Sequence, residues 1–219
     1  MRNLCIITFL FPAFLAAQKQ PEFSYKVYGN VANYFSSKEE MLDFFDFRDG
    51  ETIAEIGSYD GANVIGFSLL TKNVLYYAQD IDSSRLNLNT FKAKQKAVSK
   101  YTDELSGNKF MFCIGDEKNT NLPDSIFDKI IIVSAFHEFT YIPEMLDDIS
   151  RKLKITGRVY ILDATCLTKG HKNYSSHEVD GFLRQHGFTL INIDKDGKEG
   201  MLRMIFCEKI IENKRMRLD

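Results

Sequence analysis

Residues 53–62, Ile-Ala-Glu-Ile-Gly-Ser-Tyr-Asp-Gly-Ala, put an acid at the end of an apolar run and a glycine on each side of a short turn. A turn of that kind lets backbone approach a ligand closely, and open α/β sheets bind ligands beyond the carboxyl ends of their strands. Gly57 and Gly61 bracket the turn, but Tyr59 stands where a dinucleotide fingerprint has its middle glycine. A pyrophosphate cradle needs that glycine, so NAD or FAD is disfavoured. Glu55 agrees, because a carboxylate suits a cationic ammonium group and repels a pyrophosphate. The alternative is a tight β–α turn that holds nothing.

Two further stretches carry reactive residues. In Tyr-Tyr-Ala-Gln-Asp-Ile-Asp, residues 76–82, Asp80 follows a strand-like run and lies about twenty residues past the glycine turn, where an acid accepts from both ribose hydroxyls. Asp82 competes for that role, but its better use is to cap a helix beginning near Ser83. Residues 134–139, Ser-Ala-Phe-His-Glu-Phe, follow a nearly unbroken apolar run. An imidazole there suits proton removal from a hydroxyl or an enolic carbon, with Glu138 doing the same or orienting His137. The alternative is that His137 satisfies the backbone of its own loop. His171, His177 and His186 are scattered, and no His, Cys, Asp and Glu grouping has metal-ligand spacing. Cys5, Cys113, Cys166 and Cys207 form no CxxC pair, so buried inert thiols are expected at 113 and 207. Ser134 has no GxSxG elbow, which argues against a serine hydrolase.

The elements that must position these residues alternate. Apolar runs at 52–56, 74–78, 109–114, 127–133, 158–162, 188–193 and 201–207 read as strands. Helices are expected at 63–70, 83–100, 143–153 (ended near Gly157) and 175–186 (closed by Gly187). Ser37 to Glu40 form a capping box opening another helix, behind a lead-in bearing Tyr25, Tyr28 and Tyr34 that is available to line an acceptor pocket or to pack. This alternation predicts a seven-stranded, mostly parallel Rossmann-like sheet with helices on both faces. The last two strands, joined without a helix, should form an antiparallel edge hairpin.

Gly-Asp at 115–116, Leu-Pro at 122–123, then Phe-Asp and an apolar strand make the pattern specific: it resembles the class I S-adenosylmethionine (SAM)-dependent methyltransferases, most closely small-molecule members such as quinone-biosynthesis enzymes. The likeness runs from about Ser37 to Cys207, with Ile155-Thr156-Gly157 where the family often has Pro-Gly-Gly. It implies that Glu55, Gly57 and Gly61 contact the methionine part of SAM and that Asp80 holds the ribose. It further implies that Asp116 accepts from the adenine amine and Ile81 packs on the adenine face, with Ser58, Tyr59, Glu117 and Ser134 completing the cofactor site. His137 and Glu138 would be catalytic, and the acceptor a small molecule methylated at oxygen or carbon. Other readings are a SAM- or nucleoside-binding protein without turnover, or an aminopropyl transferase, for which no clear acidic cluster is present.

Lys+Arg 28 against Asp+Glu 30 gives a net charge of −2, so no bulk electrostatic attraction to nucleic acid is expected. Residues 1–17 have the basic start, apolar stretch and small-residue end of a signal peptide, implying export or membrane association; if the segment is not a functional signal, the cytoplasm is the expected location. The chain thus divides into 1–17, a lead-in and helix at 18–50, and a methyltransferase domain at 51–210, with the oligomeric state left open.

Overall fold

The computed structural model describes residues 22–101, 106–165, 171–194 and 201–208. The signal reading of residues 1–17 and the hairpin turn at 195–200 lie outside them. Seven strands form one sheet: β1 Thr52–Ile56, β2 Leu75–Asp80, β3 Lys109–Ile114, β4 Phe127–Val133, β5 Leu153–Ala164, β6 Phe188–Asp194 and β7 Met201–Glu208. Their order is β3-β2-β1-β4-β5-β7-β6. The first five are parallel, and β7 runs antiparallel between β5 and the edge strand β6. The Rossmann-like sheet and its antiparallel edge pair are those expected.

Among the described residues the α-helices are α1 Tyr25–Tyr28, α2 Lys38–Phe45, α3 Ala62–Ser68, α4 Leu88–Val98, α5 Ile142–Lys152 and α6 Ser176–Gln185. Buried residues of the first four, such as Met41, Phe45, Phe67 and Phe91, share one core with Ile53, Ile131 and Tyr160. Those of α5 and α6, such as Leu146, Ile149, Val179 and Leu183, share a second core with Ile130, Val159 and Phe206. Alternate residues along the central strands therefore feed opposite cores, which is why β4 is almost wholly apolar. The strand order reverses between β1 and β4, creating the crevice where ligands of such sheets bind.

Three local expectations are corrected. The helix expected from 83 begins at Leu88. Asp82 spends its carboxylate on the Ser84 N–H in a local turn, and the cap is Asn87, which accepts from the N–H groups of Asn89 and Thr90. Gly157 does not end a helix, because β5 starts at Leu153 directly after α5. Gly157 lies inside β5, where an added Cβ would stand 2.7 Å from the Phe127 carbonyl oxygen. In the capping box of α2, Ser37 accepts from the Glu40 N–H as expected, but the return bond comes from the Ser36 N–H.

Candidate active site

A cavity of about 610 Å³ opens over the carboxyl ends of β1, β2 and β4, within the size range of small-molecule sites. Gly57, Ser58, Tyr59, Asp80, Ile81, Asp116, Glu117, Ser134 and Glu138 line it. Glu55, Gly61 and His137 do not. The turn after β1 is shaped by backbone. Gly57 has φ +73°, and a Cβ there would come within 2.5 Å of the Ala135 Cβ on the loop after β4. Tyr59 also takes a left-handed φ of 53°, and its N–H donates to Asp80 Oδ2 at 2.7 Å. Asp80 Oδ1 accepts from the Asp82 N–H at 2.9 Å, so this carboxylate joins the two loops that face the cavity. Asp116 uses one oxygen to accept from the N–H groups of Lys118 and Asn119.

Glu55 lies behind Asn63, which lines the cavity and donates from Nδ2 to Glu55 Oε1 at 2.5 Å. Burial pushes the Glu55 carboxyl up to about 8; the Asn63 bond opposes the rise, and the charges of Asp80 and Asp60 add to it. The Asn63 Oδ1 accepts from the Val31 N–H at 3.0 Å, so one amide joins the buried acid to the N-terminal segment. That segment supplies Tyr25 and Asn30 to the cavity wall. Of the three lead-in tyrosines, Tyr28 is buried in the core instead, and Tyr34 bonds Ser134 Oγ at 2.8 Å.

At the rim, His137 is held by Asp163. Its Nδ1 lies 2.7 Å from Asp163 Oδ1, and its backbone N–H donates to Asp163 Oδ2 at 3.0 Å. The His137 Nε2 lies 3.1 Å from Glu138 Oε1, which is also 2.8 Å from the Nδ1 of His171. Among the described residues the imidazole bonds no carbonyl of its own loop; it is aimed by an acid on β5.

Residues 55–161 match the family model of the methyltransferase domain. Over that stretch the chain is similar to methyltransferase domains. The crystal structure of a SAM-dependent methyltransferase from Aquifex aeolicus superposes with a TM-score of 0.61 at 18% identity, over 83% of this chain and 91% of that one. A SAM-dependent methyltransferase from Methanosarcina mazei gives 0.61 at 11% identity, over 80% and 99%. A TehB-like SAM-dependent methyltransferase from Corynebacterium glutamicum gives 0.54 at 17%, over 77% and 86%. These likenesses show the shared fold. No curated protein is significantly similar to the chain in sequence.

The cavity fits a polar cofactor. Ser58 Oγ and Gln79 Nε2 are buried beside it without a hydrogen-bond partner among the described residues, a costly state that a ligand can relieve. Sequence reading missed Gln79, Asn63, Asp163 and His171. Gln79 is a polar residue in the otherwise apolar run before Asp80, which is the signal that points to it; Asp163 and His171 are joined to the site only by tertiary contacts.

Proposed function

We propose that this protein moves the methyl group of SAM to oxygen or carbon of a small-molecule acceptor. The observation that carries the reading is the cavity at the sheet's switch point, with Asp80 on its wall and the unpartnered Ser58 and Gln79 groups beside it. In this reading Asp80 accepts from the ribose hydroxyls, Asp116 from the adenine amine, and exposed Ile81 covers the adenine face. Gly57 and the turn after it adjoin the amino-acid end, where Asn63 stands in front of Glu55. Bound SAM supplies an activated methyl on a sulfonium centre, so the protein's task is to position and desolvate the acceptor. Glu138 faces the cavity and takes the acceptor proton, sharing it with His137, which Asp163 holds in place. The near-neutral charge balance favours a small acceptor over nucleic acid.

Calorimetric titration with SAM and S-adenosylhomocysteine, with NAD as control, tests the reading. Micromolar binding of the first two is expected. Asp80→Ala should weaken it by about 1.5–3 kcal/mol, the usual worth of hydrogen bonds to a charged group. Unaltered affinity in the variant removes the ribose role from Asp80, and a folded chain that binds neither ligand ends the methyl-transfer reading.

A further inference from the structure

Three side chains at the cavity rim present their donor atoms to one point. His137 Nε2, one oxygen of Glu138 and His171 Nδ1 all lie within 4.8 Å of one another. Two nitrogens face the same carboxylate oxygen, at 3.1 and 2.8 Å. The other nitrogen of His137 is already committed: Asp163 also accepts from the N–H groups of His137 and Ala164, so its orientation is fixed and it accepts a hydrogen bond from Nδ1–H. In the neutral imidazole this leaves the Nε2 lone pair directed at Glu138, an arrangement that calls for a positive charge between the two atoms. A carboxylate behind a histidine whose far nitrogen faces outward is the outer-shell partner that metal-bound imidazoles commonly have.

We infer that His137, Glu138 and His171 bind one divalent transition-metal ion, with Asp163 as positioning residue. Two imidazoles and one carboxylate suit zinc, cobalt or ferrous iron, whereas calcium and magnesium prefer all-oxygen shells. Tetrahedral zinc at its usual bond lengths holds its ligand atoms about 3.3 Å apart. The two contacts to Glu138 need to open by only a few tenths of an ångström, and the two imidazole nitrogens, within 4.8 Å of one another, need to settle at the same spacing. Three protein ligands leave a coordination position open, as in catalytic rather than structural sites. Glu138 belongs to both the cluster and the cavity wall, so the open position borders the space for the acceptor. An acceptor oxygen held there would release its proton to solvent water more readily, which would replace proton sharing by the His137–Glu138 pair. That role rests on the methyl-transfer reading; the site itself does not.

The test is titration of the full chain, stripped with chelator, with cobalt(II) chloride alone, followed by visible absorption and by displacement with zinc. One equivalent of cobalt with the intense bands of a low-coordinate ion is expected. His171→Ala and Glu138→Gln alter exposed side chains, so they should fold normally and weaken binding at least 10-fold. Asp163→Asn should weaken it about 10- to 100-fold, as outer-shell changes do. His186→Ala, which removes a histidine paired with Asp147, should leave the titration unchanged. No stoichiometric binding, or binding untouched by His171→Ala, overturns the site. S-adenosylhomocysteine affinity of the same samples separates the two ideas: its retention without cobalt binding removes the metal site alone, and cobalt binding without it removes the methyl-transfer reading alone.

Discussion

Glu55 occupies β1 with one carboxylate oxygen unpartnered among the described residues. Burial is the main reason its carboxyl is raised from 4.5 to about 8. A folded-state pKa above the unfolded one means that the native state holds a proton which the unfolded chain has lost. Stability contributed by Glu55 is therefore complete below about 4.5 and is withdrawn as pH rises towards 8. The slope reaches at most about 1.4 kcal/mol per pH unit. Glu55→Gln should flatten this loss, so urea midpoints of the ligand-free variant and wild type should diverge with rising pH; parallel profiles would mean that Glu55 titrates normally. Asp80 was legible in sequence because it is the acid on which the apolar run of β2 ends, at the carboxyl edge of the sheet. The seclusion of Glu55 was not, since it depends on how α3 rotates Asn63 over it. His171 was invisible for a simpler reason: it meets Glu138 from 33 positions further along the chain.

At the scale of elements, α3 is the joint between the sheet and the N-terminal segment. Gly66 lies against Tyr28 so closely that an added Cβ would stand 2.6 Å from the Tyr28 Cα, and backbone cannot swing aside. Alanine in place of a helical glycine is ordinarily worth about 1 kcal/mol in favour of folding. Overpacking costs about 1–3 kcal/mol, and here it acts on main chain, so the loss wins. Gly66→Ala should lower the thermal midpoint. It should also weaken S-adenosylhomocysteine binding, because Tyr25 and Asn30 move with Tyr28; a more stable variant with unchanged affinity would contradict this packing account. The elements themselves were readable from periodicity, including the hairpin at the sheet edge. Their ends were not, wherever a side chain chose between local bonds: Asp82 closed a turn and left Asn87 to start α4, and β5 began without a loop because Leu153 could pair with Phe127.

Across the whole molecule, Arg203 on β7 is buried between Glu40 of α2 and Asp194 of β6, at 2.5 Å from each, and lies 4.8 Å from the Phe35 ring centre. It fastens the late antiparallel strands to the first long helix. Its partners are partly exposed, so Arg203→Ala should cost somewhat less than a fully buried pair, about 2–3 kcal/mol, measured by urea unfolding. A loss under about 0.5 kcal/mol would reduce the cluster to a surface ion pair. The amide of Asn63, which holds Val31 on one side and Glu55 on the other, has a consequence at this scale too. Tyr25 and Asn30 form part of the cavity wall, so a ligand filling the cavity also holds down the segment from Tyr25 to Tyr34. Occupancy and the anchoring of that segment are then one equilibrium. Tension applied to the chain ahead of Phe23 would be felt at the cavity as lost affinity, and a filled cavity would resist the pull.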